Sequence, residues 1–335
     1  MLAISAVDAI SPAIQRTKFF LFRGVRMGTY LKLCLVAIIT ESVGGSFHFG
    51  TTGGHAPNQW LIPHPAAALT PGSVAGLAAA LVVFIVVFFV VYYLITRLRF
   101  AYFHCLIHNT KEIRPGWRLY RAQARRFFWL SVYVGVCILL ALALAVLPFV
   151  AAFWKLSRST PAGGHADVGV ILALALPLIP IILLAVLAVI AAGLILRDMM
   201  LPHFALENAR AGEAWRAVWT RIKAEKGSFF VYALLRIVLP IAALIGLLIV
   251  LVIPGFLFVA AVTMVEGGIQ ASFSGAVSGI FLEVLIGMGA LAIALFAGIS
   301  VGGPLGTAIR EYALLFYGSR YRPLGDLLAP PPLSA

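Results

Sequence analysis

The sequence predicts an all-α integral membrane protein, and three observations carry that reading. Of its 335 residues 62% are apolar and only 11% are charged, where soluble domains carry about a quarter charged residues. Charge-free apolar runs recur along the chain, and the basic residues fall between them in alternate segments. A water-soluble globule is excluded.

A bilayer core about 30 Å thick takes about 20 helical residues, which sets the spans. The expected crossings are 28–47, 75–96, 127–153, 168–196, 237–265 and 284–306. The first is the weakest, because Lys32 and Glu41 interrupt it. Charge decides in its favour. With six crossings the segments 1–32, 97–126, 197–236 and 303–335 share one side and hold 23 of the 25 basic residues, leaving Lys155 and Arg158 opposite. The positive-inside rule then puts both termini in the cytoplasm. The net charge of +13 resolves into about +15 inside and −2 outside, so no nucleic-acid partner is needed. No cleavable signal peptide is expected, since the first 27 residues carry four basic residues and no long apolar core. The expected location is the cytoplasmic membrane of a bacterium.

An internal repeat organises the spans. Trp117-Arg-Leu-Tyr-Arg-Ala-Gln-Ala-Arg-Arg-Phe-Phe128 and Trp219-Thr-Arg-Ile-Lys-Ala-Glu-Lys-Gly-Ser-Phe-Phe230 align at an offset of 102, identical at four of twelve positions. The sequence therefore predicts three pseudo-repeated hairpins, each preceded by a basic amphipathic interfacial helix, over 11–26, 109–126 and 208–227. The last ten residues, 326–335, read as a Pro-rich disordered tail.

In the second interfacial segment Arg114, Arg118, Arg121 and Arg125 make a basic stripe beside Trp117. In the third, Trp215, Val218, Trp219 and Ile222 make one apolar face with Lys223 off it. Such helices lie on a surface, and anionic lipid headgroups, a membrane-protein partner or a second copy of the chain are the expected contacts. Glu41 and Glu283 are the carboxylates expected within apolar spans, both toward the outer half, where such groups mark ion or proton paths unless they sit in wet interface. Arg236 is expected to snorkel to the headgroups. Gly287, Ala290, Ala294, Gly298 and Gly302 recur every three or four residues, a small-residue face for helix packing. Pro177 and Pro180 should kink the fourth span, and Pro240 or Pro254 could break the fifth.

No catalytic residue, cofactor or metal site is expected. Cys34, Cys105 and Cys137 have no metal or redox spacing. His104 and His108 share a helical face but lack a third ligand, and His48, His55 and His64 are irregularly spaced in a Gly/Pro-rich loop. Asp198, His203 and Glu207 cluster without a nucleophile. Gly298-Ile-Ser-Val-Gly302 matches a hydrolase elbow by letter but lacks the strand-turn-helix setting.

The stretch Arg197-Asp-Met-Met-Leu-Pro-His-Phe-Ala-Leu-Glu-Asn-Ala-Arg-Ala-Gly-Glu-Ala-Trp-Arg-Ala-Val-Trp, continuing through Lys226-Gly-Ser-Phe-Phe-Val-Tyr, resembles uncharacterised bacterial multi-pass membrane proteins. These are similar to the membrane domain of glycerophosphoryl diester phosphodiesterases. The resemblance implies a membrane domain and no phosphodiesterase activity, because that domain is not the catalytic one. The expected function is thus non-enzymatic: membrane organisation or assembly through inner-face contacts, with a small-solute or ion transporter as the alternative.

Overall fold

The computed structural model describes residues 4–23, 25–42, 71–159, 168–273 and 277–328. Among them no strand occurs, and the chain is helical nearly throughout. In order the elements are α1 (Ile10–Phe22), α2 (Met27–Ser42), α3 (Pro71–His108), α4 (Ile113–Leu119), α5 (Arg121–Ser159), α6 (Val168–Ala175) and α7 (Leu178–Leu194). A π-helical turn (Ile195–Met200) joins α7 to α8 (Leu201–Leu206), followed by α9 (Ala211–Ala224), α10 (Lys226–Phe273), α11 (Val277–Gly318) and α12 (Arg322–Leu328).

Five helical stretches are long and apolar enough to cross a membrane: Gly76–His108, Arg121–Lys155, Leu178–Leu206, Lys226–Phe273 and Ser278–Gly318. This is compatible with a multi-pass membrane protein. At most 6% of the most hydropathic window of each is buried by the rest of the chain, so the apolar portions present themselves outward. Buried side chains lie instead toward the polar ends of these helices, among them Phe127 and Phe204 on two helices and Tyr312–Leu314 on another. Such a distribution suits lipid, where apolar surface is at no disadvantage and side chains need mutual burial only beyond it.

The chain forms two compact units. One comprises Met1–Glu41, Tyr102–Ile113 and Arg216–Ala335, the other Ser42–Ala101 and Arg114–Trp215. In the first, α10 and α11 pair as an antiparallel hairpin through Tyr232, whose ring stacks on Phe316 at 4.3 Å and on Tyr312 at 5.5 Å. Helix α1 packs along the polar end of α11, and α12 folds back against Gly318. In the second, α5 packs on α7 and α8, where Phe127 meets Phe204 edge to face at 5.5 Å.

The first expected span, 28–47, is not among these five stretches, and its residues 43–47 lie outside the described residues. Its described part is α2, which packs along α11. Tyr30 touches Ser300, a side chain at Gly303 would meet Cys34, and one at Gly306 would meet Ala37 and Glu41. Both helices therefore advance together toward the polar end. One proline fixes this docking: Pro304 has no N–H to give the Ser300 carbonyl one turn earlier, and the Tyr30 hydroxyl donates to that carbonyl instead at 2.8 Å.

The expected break in the fourth span occurs: α6 ends at Ala175 and α7 begins after Pro177, with Pro180 in its first turn, where a missing N–H costs nothing. In contrast α10 runs unbroken through Pro240 and Pro254. Asp326–Leu328 belong to α12 rather than to a tail, and the rest of the Pro-rich segment lies outside the described residues.

Candidate functional site

The charged residues that the fold buries gather at the polar ends of the long helices. In the first unit the polar end of α11 carries Arg310 and Glu311, both nearly fully buried. Arg16 on α1 donates through Nε to Glu311 Oε2 at 3.0 Å, and its other nitrogens donate to the carbonyls of Leu328 (2.7 Å) and Leu106 (3.3 Å). One guanidinium thus ties α1, α3, α11 and α12 together. A cavity of about 760 Å³ lies beside it, lined by Gln15, Phe19, His108, Leu315 and Leu327 among others. Tyr102 and Thr307 share a hydroxyl–hydroxyl bond of 2.8 Å in the same layer.

Arg236, expected to snorkel, is buried by the fold and donates to Glu41 Oε2 at 2.9 Å, a pairing that spares both groups the cost of isolated burial. Glu41 sits beside Gly306. Glu283 is half-buried on α11, inside the helix rather than at its start, since α11 begins at Val277. The 23-residue step from Glu283 to Gly306 sets the two carboxylates about 35 Å apart along α11. They do not meet in one site.

In the second unit Arg99 on α3 and Arg197 and Asp198 in the π turn are buried, with Arg197 Nε donating to Asp198 Oδ1 at 3.4 Å. The turn is π-helical because the Leu201 N–H closes on the Leu196 carbonyl five residues back, just before Pro202, which has no donor to offer. His203 Nδ1 lies 3.0 Å from Glu207 Oε2. His104 and His108 in the first unit have ring centroids 4.5 Å apart. Among the described residues no group of three or more His, Cys, Asp or Glu side chains could hold a metal ion; His48, His55 and His64 lie outside them.

The basic stripe is exposed at all four arginines, but not on one helix. Arg114 and Arg118 are on α4, Arg121 and Arg125 on the first turns of α5, and the break between falls at Tyr120. Tyr120 is buried there, which pushes its phenol above the usual tyrosine range. Trp117 is covered by the Arg97 guanidinium, 4.2 Å above its ring. On α9 the buried face is Ala214 and Val218, whereas Trp215 and Trp219 are 45% and 42% exposed, the latter beneath the Lys223 ammonium at 5.5 Å. The tryptophans flank the packed face instead of forming it.

The small-residue face packs only at its inner end. Nothing lies within 4 Å of a side chain added at Gly287, Ala290 and Gly298 are half-buried and Ala294 is exposed, whereas one at Gly302 would meet Ile38 at 3.3 Å. The closest approach is one residue further, at Gly303, where an added Cβ would fall on Cys34. Sequence spacing missed this because Gly303 is off the three-to-four rhythm, and missed the buried arginines because they look like ordinary positive-inside residues.

A family model described as a family of unknown function (DUF7544) matches residues 4–327. The chain belongs to this family. The DUF7544 match takes in both compact units and the Arg16–Glu311 and Arg236–Glu41 pairs, and nothing in it links the chain to phosphodiesterase membrane domains. No curated protein and no solved structure matches the chain.

Proposed function

We propose that this DUF7544 protein is a non-enzymatic multi-pass protein of the bacterial cytoplasmic membrane that supports membrane organisation or assembly through inner-face contacts with anionic lipid or a protein partner. The observation that carries this reading is the exposed quartet Arg114, Arg118, Arg121 and Arg125 at the polar end of a helix whose apolar run faces outward. Exposed Trp215 and Trp219 add amphipathic rings suited to a headgroup layer. The transporter alternative has less support, since Glu41 is paired with Arg236 and lies far from Glu283.

Six crossings in three repeated hairpins remain part of this reading. Two local features support the repeat. Asn109 after α3 and Asn208 after α8 share φ of 49°, the left-handed stop that asparagine tolerates, and each leads into a short helix and then a long one that opens within nine residues on Phe-Phe. Both termini share a side only if the chain makes its first crossing before α3 begins at Pro71.

Reporters fused after Arg126, Ser159, Lys226 and the C-terminus should place only the Ser159 fusion outside. The lipid contact is tested with the full chain reconstituted in phosphatidylcholine containing trace spin-labelled phosphatidylglycerol. Near-surface basic residues are each worth about 1 kcal/mol on anionic membranes. Replacing the four arginines with Gln should therefore remove the low-salt enrichment of the anionic probe. Enrichment that is unchanged by the four substitutions would reject the arginine quartet as the lipid contact.

A further inference from the structure

We infer that the cavity at the polar end of α11 in the first unit holds one uncharged single-chain lipid with a hydroxylated head, of monoacylglycerol chemistry, its head on the Arg16–Glu311 pair and its chain along the apolar wall. Every residue that lines the cavity belongs to that unit. Its volume of about 760 Å³ is within the range of small-molecule sites. At a water molecule's share of about 30 Å³ it has room for about 25 non-hydrogen atoms. A monoacylglycerol with a sixteen-carbon chain has about 23 of them, and a two-chain phospholipid has about twice as many. Phe19 and Phe20 from α1, Leu315 from α11 and Leu327 from α12 give the wall for the chain.

Hydrogen-bonding capacity identifies the head. A guanidinium has five N–H groups; among the described residues, three of those of Arg16 go to Glu311, Leu328 and Leu106. The Arg16 side chain is 29% exposed in spite of these bonds and lines the cavity, so its remaining donors meet the space within. Glu311 lines the same space and, among the described residues, accepts through Oε2 alone, which leaves Oε1 for a donor. A hydroxyl can accept from the guanidinium and donate to the carboxylate at once. The two charges answer each other at 3.0 Å, so neither calls for a charged head, and a second carboxylate brought in would lie against Glu311 without a cation of its own. Gln15 and Asn109, exposed at the edge of the cavity, offer amides to a second hydroxyl. A lipid is favoured over a soluble polyol because the wall is apolar and continues outward: Phe19 is 47% exposed, on the same helix as exposed Ile14 and Phe22.

This inference rests on the membrane reading above but not on the arginine quartet, and an uncharged probe separates the two. Full-length protein in detergent is photolabelled with a monoacylglycerol that carries a diazirine in its acyl chain, and the labelled residues are mapped by mass spectrometry. Label should concentrate on the cavity wall in α1, α11 and α12. Unlabelled 1-palmitoylglycerol should displace it at a concentration at least about tenfold lower than palmitate or the dimethyl ether of the same ester, since a site built for a hydroxyl rejects analogues that lack it. Leu327→Trp fills the cavity from a position already 39% exposed, so the thermal midpoint should hold while labelling falls at least about threefold. Should that variant fail to fold, the order of displacement on wild type decides alone. Replacing the arginine quartet with Gln should leave labelling unchanged. Palmitate displacing as well as the glycerol ester would overturn the uncharged head, and label spread along α3, α5 and α10 without excess at the cavity would overturn the site. Full labelling of a folded Leu327→Trp protein would overturn it too, as would labelling lost with the quartet. The surface contact stands or falls separately, on the anionic probe.

Discussion

Arg236 and Glu41 stand 195 positions apart in the sequence and 2.9 Å apart in the fold. Each is about one-twentieth exposed, so the bond joins α2 to α10 with both charges out of solvent. Removing one member of such a pair leaves an uncompensated buried charge, at a cost of about 3–5 kcal/mol, whereas replacing both with apolar groups is often nearly neutral. Arg236→Met should lower the thermal midpoint of the detergent-purified protein sharply, and Glu41→Leu added to it should restore most of the loss. A double variant as unstable as the two single losses combined would show that the residues act independently.

The Tyr30 hydroxyl matters because Pro304 frees its acceptor. Tyr30→Phe leaves the Ser300 carbonyl without that donor and should cost about 1–3 kcal/mol. With Pro304→Ala in place, an alanine N–H can serve the same carbonyl, so Tyr30→Phe should cost much less. Equal losses in the two backgrounds, measured by thermal unfolding in detergent, would refute the substitution of one donor for the other.

Gly303 and Gly287 offer a matched comparison on α11. An added Cβ at Gly303 would collide with Cys34 Cα as well as its side chain, so α2 would have to move; at Gly287 there is open space. Gly303→Ala should reduce the yield of monodisperse protein on size exclusion, and Gly287→Ala should leave it unchanged. The reverse order would place the helix contact at the outer end of the small-residue face.

The exposed tryptophans carry a further expectation. Trp215 and Trp219 flank the packed face of α9, while Val218 is 1% exposed within it. Val218→Asp should destabilise the protein by several kcal/mol through burial of an unpaired carboxylate. Trp215→Ser should change stability by less than about 1 kcal/mol. Equal losses in a thermal melt would mean that the tryptophans belong to the core.

The membrane class, five of the long helices, the broken fourth span and the basic segments between spans were legible in the sequence because each depends on local composition. Twenty apolar residues in a row either match a bilayer or do not, whatever the rest of the chain does. The exposed arginine stripe was legible for the same reason, although the turn at Tyr120 that splits it between α4 and α5 was not. Tertiary structure decided the remainder. Glu41 reads as an isolated carboxylate until Arg236 is brought to it, and only the fold shows Tyr30, Cys34 and Ala37 advancing along α11 in its own direction. Arg99 and Arg197 look like two more positive-inside residues until α3 and the π turn bury them beside one apolar groove. Hydropathy is a property of each segment against its solvent, while the pairing of buried charges depends on which distant segments meet, and that meeting takes place at the polar ends where lipid no longer substitutes for protein contact.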